Sequence, residues 1–441
     1  MKSHFILKII LLWSLLIFSF HKMQAKEESL PASDYSAAVL NKWMVLQIRL
    51  MATTPHRLNG PFVRSYSYSG LAAYYSVAPG IPRYSALWFS AGRLNNLPAL
   101  PETGSEKFHW PSSLNAALAF MNRSMFPAAT AENKKAIDSL ETALQSSFGG
   151  EANSATLQRS AQYGQQVAQH IFAWAEIDGF RHARINISPP PGKGKWVPTP
   201  PDYTGPYIPY WGSLRTMVPG SLKNAQPPAP LTYSEDSTSA FYKQAKEVFI
   251  ISQNPTPEQK KITLFWKELN PGITMPGHWL NVLRQLIEKE NLTLDKAAFA
   301  YALSGMALND TWIGSSKTRY EYNLARPVTY IREVMGHKNW LSLLPTWPNP
   351  EYTSMFAAAA GAVCTALAEV FGDNYSFTDH TYDETGLGPR TYHSFTAMAK
   401  EAGESKIYGG IHYRFSVEAG LQQGRAVANN SLRLLLQNEG K

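Results

Sequence analysis

Two arginines seven residues apart, Arg319 and Arg326, are the first residues whose type and spacing suggest chemistry. Seven residues span close to two helical turns, so a continuous helix would place both guanidinium groups on one face. Guanidinium groups donate paired hydrogen bonds to phosphate-like oxyanions. The spacing therefore indicates an oxyanion site if the pair faces inward, whereas two solvated arginines are the simpler interpretation of the pattern alone.

A helix N-terminus is predicted at Ser354, which follows Pro350 and precedes the alanine-rich run that begins Met355-Phe356. Serine is a favourable N-cap residue. The free amides and the positive dipole end of such a helix attract anions. By itself the pattern is more typical of a simple cap on a core helix.

A third stretch contains Lys406, Gly410 and His412 within seven residues. Glycine allows a ligand to approach the backbone closely. A single histidine is usually structural, but His412 has glycines and two cations as near neighbours. It is therefore a candidate for chemistry.

Several common motifs are absent from the chain, namely GxGxxG, GxxxxGK[ST], HExxH and GxSxG. Their absence argues against the usual dinucleotide, P-loop, zinc-protease and hydrolase sites. Asp379, His380, Asp383 and Glu384 cluster in one short segment. This segment fits a solvated polar loop better than a metal site, because the spacing matches no strong ligand pattern.

In this order, the three stretches resemble the vanadium-dependent haloperoxidase and type 2 phosphatidic acid phosphatase superfamily. Its motifs are Lys-x6-Arg-Pro, Pro-Ser-Gly-His and Ser-Arg-x3-Gly-x-His. The stretches TMPGHW, YNLARPVTYIR, FTDHTYDETGLGPR and GGIHYRF are similar to its bacterial haloperoxidase-like branch. The resemblance extends over roughly residues 150–430.

The resemblance implies an all-α helical bundle that holds phosphate or vanadate in one pocket. In such a pocket a histidine attacks phosphorus or binds vanadate, a second histidine is the general acid, and cations, a serine and a glycine amide hold the oxygens. Arg326, Ser354, Gly410 and His412 match the family motifs directly, so His412 would be the nucleophile or the vanadate ligand.

Four positions depart from the motifs. Arg319 replaces the motif lysine, although Lys317 lies two residues earlier, and Lys406 replaces the second arginine. These exchanges keep the positive charge. Met355 replaces the glycine and Phe356 replaces the acid histidine, and phenylalanine cannot transfer a proton.

The residues that would assist the two motif histidines must also differ from those of the family. The acidic residue often found four positions after the nucleophile is Ser416 here, so Glu418 is predicted to orient His412. His380 or His393 would have to replace the missing acid.

Two functions follow from these matches and departures. The first is an enzyme that acts on a small anionic substrate, a phosphoester or vanadate with peroxide, with catalysis weakened at Phe356. The second is a non-catalytic family member that binds an oxyanion or a partner. The family pocket serves both phosphatase and peroxidase chemistry, so the sequence does not separate these activities, and it sets no oligomeric state.

The elements that must position these residues are predicted to be helices. Apolar residues recur at helical spacing, and alternating strand-like runs are scarce. The predicted helices cover residues 34–52, 132–148, 155–175, 238–252, 257–268, 278–290 and 294–307.

A proline-rich segment, residues 189–230, holds 12 of the 30 prolines and cannot be helical. Its interleaved tryptophans and tyrosines predict an extended strap over the helices rather than a flexible spacer. The predicted division is residues 26–188 for an N-terminal helical region, then the strap, then residues 231–441 for the region with the oxyanion pocket.

Composition excludes some classes of protein. With 44% hydrophobic and 17% charged residues, the chain is neither disordered nor fibrous. One cysteine rules out an internal disulfide framework. The net charge of +8 includes no dense basic run, so nucleic acid is not an expected partner.

Residues 1–25 are predicted to be a secretory signal peptide. Lys2 and Lys8 precede a twelve-residue apolar stretch, residues 9–20, which is too short for a membrane span. An uncleaved anchor is the alternative. The expected location is the periplasm or the extracellular space, with no membrane span after removal of the signal.

Overall fold

The computed structural model describes residues 29–55, 59–81, 94–96, 99, 103, 106–185, 187–267, 269–270 and 273–436. The predicted signal peptide lies outside these residues. The regular secondary structure of the described chain is mostly α-helical. The α-helices are α1 Ala38–Thr53, α2 Asn59–Val77, α3 Trp110–Met125, α4 Ala131–Ser147, α5 Ser154–Glu176, α6 Ala240–Gln253, α7 Pro257–Phe265, α8 Met275–Lys289, α9 Leu294–Tyr322, α10 Pro327–Glu333, α11 Met355–Phe371, α12 Phe395–Tyr408 and α13 Arg414–Leu436.

Two short antiparallel hairpins complete the regular structure. Strand β1 Leu269–Asn270 pairs with β2 Ile273–Thr274, and β3 Phe377–Asp379 pairs with β4 Arg390–Tyr392. The all-α class predicted from the sequence is confirmed. Among the described residues, no helix is long and apolar enough to cross a membrane.

Helix α9 lies at the centre of the bundle and packs against α2, α11 and α13. It was predicted to end at residue 307 but continues to Tyr322. The second half contains many polar and small residues that are nevertheless buried, from Asn309 to Arg319. A helix buried on nearly all sides has no single apolar stripe, so periodicity does not reveal its length.

Helices α11 and α13 approach each other unusually closely. A Cβ atom on Gly424 of α13 would lie 2.0 Å from the carbonyl oxygen of Ala358 in α11. Likewise, a Cβ atom on Gly361 of α11 would lie 2.4 Å from the carbonyl oxygen of Leu421. Backbone atoms cannot move aside cheaply, so these glycines set the distance between the helices that carry Ser354 and follow His412.

Replacement of Gly424 by alanine tests this close packing. Gly424→Ala should lower the free energy of unfolding by at least about 2 kcal/mol, because the added methyl group forces α11 and α13 apart. Denaturant unfolding followed by circular dichroism measures this loss. Gly150→Ala is the matched control, since a Cβ atom there meets nothing within 4 Å. Equal stability of the two variants would contradict the packing argument.

The proline-rich strap is extended, as predicted, and it lies against the end of α9. The Trp196 amide donates to the Asn323 carbonyl at 2.8 Å, and the Tyr207 amide donates to the Pro348 carbonyl at 2.7 Å. Trp196 and Trp211 are buried, whereas Tyr203 and Tyr210 are exposed. The largest cluster of buried apolar residues includes residues on both sides of the strap. The predicted domain boundaries stay predictions.

Candidate oxyanion site

Arg319 and Arg326 do not lie on one continuous helix, so the predicted single helical face is wrong. Helix α9 ends at Tyr322, and Asn323 adopts the left-handed conformation with φ 50°. Arg326 is the residue that precedes α10. The chain therefore turns between the two arginines, and their guanidinium groups converge from either side of the turn.

Both guanidinium groups are buried and donate to the segment that leads into α11. Arg319 Nε donates to the Thr353 carbonyl at 2.8 Å, and its Nη1 donates to the Pro350 carbonyl at 3.0 Å. Arg326 Nε donates to the Asn349 carbonyl at 2.8 Å. In addition, Arg319 Nη1 and Arg326 Nη2 both donate to Oδ1 of Asn349. One amide oxygen is thus shared by two positive groups.

His412 is fully buried beside these arginines. Its Nδ1 lies 2.7 Å from Oε1 of Glu351, which also accepts from the Tyr413 amide at 3.1 Å. Its Nε2 lies 3.4 Å from Arg326 Nη1. With the proton on Nδ1 and the carboxylate as acceptor, the lone pair of Nε2 is directed to the arginine side.

The buried surroundings shift both pKa values of this pair. Burial lowers the pKa of His412 well below its usual value, and the charges of Arg326, Arg319 and Lys406 lower it further. Burial raises the pKa of Glu351 to about 7, although Arg326 and Arg319 oppose that rise. His412 is therefore neutral near pH 7, the form in which a histidine attacks phosphorus or binds a metal oxyanion.

Phe356 lies on the first turn of α11, next to Lys406. The Lys406 ammonium nitrogen is 5.0 Å from the centre of the Phe356 ring and donates to the Trp266 carbonyl at 2.7 Å. The ring also packs edge-on against Trp312, with centroids 5.9 Å apart. An aromatic ring therefore occupies the place where the family motif has its acid.

Phe356 lines two cavities. One is lined by Arg319, Asn349, Met355 and several aromatic residues. The other is lined by Lys406 and His278 among others. Arg319 therefore reaches the first cavity, whereas Arg326 and His412 lie behind the walls of both.

His278 was not singled out as a site residue, although its TMPGHW stretch carried part of the resemblance. Its Nε2 lies 2.7 Å from Oδ2 of Asp379, and both residues are buried. Burial alone would raise the pKa of Asp379, but the contact with His278 holds that pKa below its usual value. Asp379 therefore belongs to a buried hydrogen-bonded pair rather than to the predicted polar loop.

Comparison with solved structures decides the family. The chain is 31% identical to a bacterial vanadium-dependent iodoperoxidase, with a TM-score of 0.79, and the match covers 91% of this chain and 96% of that one. This protein belongs to the vanadium haloperoxidase-like superfamily. The family profile described as the VCPO second helical-bundle domain matches residues 299–438, which contain both arginines and His412.

Two more distant structures share the fold of this haloperoxidase homologue. The holo and apo forms of a bacterial vanadium-dependent chloroperoxidase match with TM-scores of 0.62 and identities of 16% and 15%. Each match covers 85% of this chain and 92% or 93% of the other. A comparison with curated proteins gives no significant match.

The structure brings some of the predicted site residues together and turns others away. Arg319, Arg326 and His412 converge, and Lys406 is near enough for its charge to act on His412. Ser354 caps α11 by accepting from the Ala357 amide at 3.4 Å. Gly410 has φ +80°, and its amide donates to the Ile407 carbonyl at 2.9 Å rather than to the pocket.

The predicted orienting role of Glu418 is wrong. Glu418 is exposed on α13, and the carboxylate that bonds His412 belongs to Glu351. The helix begins at Arg414, so residue 418 projects on the solvent side of its first turns. Glu351 precedes α11 and reaches His412 because Arg319 and Arg326 hold this segment against α9.

The two histidines considered as replacement acids lie on the surface near the β3–β4 hairpin. His380 pairs with Asp383 at 2.7 Å, and His393 lies 3.3 Å from the Ser376 hydroxyl. Neither lines a cavity beside Phe356. Within the described chain, no group of three or more potential ligands could hold a metal ion.

Substitution of Glu351 tests the raised carboxyl pKa. A carboxyl group with a raised pKa in the folded state contributes stability below its unfolded-state pKa, near 4.5, and that stability is lost as the pH rises to about 7. The stability of Glu351→Gln relative to wild type should therefore increase by up to about 3 kcal/mol over this range. Urea unfolding at several pH values measures it.

The control for this experiment is Glu418→Gln, which makes the same chemical change at an exposed position. Its stability difference from wild type should stay constant between pH 4.5 and 7. If the Glu351→Gln difference is equally constant, the buried carboxyl group does not titrate as described.

Proposed function

We propose that this protein binds a tetrahedral oxyanion, vanadate or phosphate, against Arg319, Arg326 and His412, and that any turnover is slow. The observation that carries the proposal is the buried cluster of charge around His412. Arg319, Arg326 and Lys406 are each at most 3% exposed. Glu351, whose pKa burial raises to about 7, lies beside this cluster through its bond to His412. Buried guanidinium and ammonium groups donate charge-assisted hydrogen bonds to an oxyanion.

The donor set fits an oxyanion on one side of the pocket. The guanidinium groups supply charge-assisted donors, neutral His412 directs Nε2 to the same region, and the first amides of α11 have no acceptor within the helix. The similar iodoperoxidase is vanadium-dependent, which makes vanadate the first anion to test. When bound, vanadate would supply the Lewis acidity for peroxide chemistry.

The chain's own residues prepare this site in three ways. Glu351 holds the His412 ring through Nδ1 and fixes the tautomer. Burial lowers the pKa of His412, and Arg326 and Arg319 lower it further, so the ring is neutral. The two arginines also provide donors for developing negative charge. The aromatic walls of the first cavity limit the access of bulk water to Arg319.

At position 356 the pocket lacks the side chain that delivers a proton in the family motif. Phe356 cannot donate a proton, and general acid catalysis is typically worth about 10²–10⁴-fold in rate. We therefore infer weak peroxidase or phosphatase turnover, and a binding function without catalysis is the second candidate. Phe356 favours that second candidate, because its ring covers Lys406.

Location outside the cytoplasm is also part of the proposal. It rests on the basic and apolar pattern of residues 1–25. Expression of the full chain, followed by N-terminal sequencing of the extracellular and periplasmic fractions, would test it.

Calorimetric titration of the mature protein with orthovanadate tests the binding proposal. Wild type should bind, and His412→Ala should bind at least tenfold more weakly, because the ring nitrogen beside Arg326 is removed. His393→Ala is the matched control and should bind as wild type does, since His393 lies outside both cavities. Equal affinity in wild type and His412→Ala would exclude His412 as the anion contact.

Restoration of the family motif tests the catalytic part. The double variant Met355→Gly with Phe356→His should raise vanadate-dependent oxidation of iodide by peroxide at least tenfold, because it supplies a proton donor next to Lys406. Hydrolysis of an aryl phosphate is measured in parallel. If neither rate rises while vanadate still binds, the lost acid is not what limits turnover.

A further inference from the structure

Asn349 occupies the point at which the two arginines converge. Its Oδ1 accepts from both Arg319 Nη1 and Arg326 Nη2, and its backbone carbonyl accepts from Arg326 Nε at 2.8 Å. A guanidinium group can only donate. The side-chain atom between the two arginines must therefore be the amide oxygen rather than the nitrogen.

An oxygen shared by two guanidinium groups is the arrangement that an oxygen of a bound oxyanion adopts. An amide oxygen accepts these hydrogen bonds as a neutral group. An anion at the same point would accept them with an ionised oxygen, and hydrogen bonds to an ionised acceptor are stronger.

The Asn349 side chain has space to leave this point. Asn349 lines the first of the two cavities beside Phe356, together with Arg319 and Met355. Its backbone contacts are independent of the side chain, because the carbonyl holds Arg326 and the amide donates to the Trp347 carbonyl at 2.8 Å. Rotation about the side-chain torsions would clear the site without displacing the segment that carries Glu351.

Resting on the proposed function, we infer that Asn349 is a displaceable internal substitute for one oxygen of the anion and determines how tightly the anion binds. An incoming anion must displace the amide, which lowers the apparent affinity by the fraction of molecules in which the site is open. Ligands with an oxygen that can accept from both arginines compete well. A halide ion offers a less directed contact and competes poorly.

The test compares orthovanadate affinity among variants of residue 349 by calorimetry. Asn349→Ala removes the internal acceptor and should bind at least tenfold more tightly than wild type. Asn349→Asp places a carboxylate at the same point and should bind at least tenfold more weakly. Asn430→Ala, the same chemical change on α13 at a side chain that bonds the Ser221 and Lys223 carbonyls, should match wild type.

The outcomes separate this inference from the proposed function. Unchanged or weaker binding by Asn349→Ala, with binding by wild type intact, overturns the inference and leaves the proposed function standing. Tight binding by Asn349→Ala with none by wild type supports the inference and refutes anion binding by the native chain. Absence of binding in both overturns both. If Asn349→Ala does not fold, affinity equal to wild type in Asn349→Asp overturns the inference.

Discussion

The rest of the site depends on one constraint. The buried guanidinium groups of Arg319 and Arg326 need hydrogen-bond acceptors. Leaving a buried charged donor unsatisfied is costly. Arg319 and Arg326 therefore draw the segment before α11 against them, through the carbonyls of Asn349, Pro350 and Thr353. This path brings Glu351 to His412 and sets Ser354 as the first cap of α11. This one electrostatic requirement thus positions Glu351, the N-terminus of α11 and the pocket wall.

The helices hold these groups in place, but they do not create the requirement for acceptors. Helix α9 is buried on nearly all sides and delivers Arg319 from the centre of the bundle. The close approach of α11 and α13 at Gly424 keeps Ser354 and His412 in register across the pocket. The precision of the site therefore depends on backbone contacts between helices, where small changes in volume are poorly tolerated.

Local sequence patterns predicted α1, α4 to α8, the first half of α9 and the non-helical strap, because periodicity and proline chemistry act over short distances. They did not predict α2 or α3. The motif spacing also identified Arg319, Arg326 and His412. The motif spacing did not identify the residues that bond to His412 and to the two arginines. Glu351 and Glu418 are both near site residues in sequence, and the choice between them depends on which segment the arginines hold. The sharing of Asn349 by two arginines depends on a turn at Asn323 that no spacing rule shows.

Anion binding and proton transfer are physically separable in this pocket. The cations and His412 set the field that an anion experiences, and none of these groups needs a proton donor at position 356. The Phe356 ring instead covers Lys406, and an aromatic face next to an ammonium group stabilises the buried charge while giving no proton. Loss of the acid therefore leaves the electrostatic site intact. Asn349 accepts one hydrogen bond from each arginine within the chain. An anion that binds as proposed would therefore have to compete with this internal acceptor.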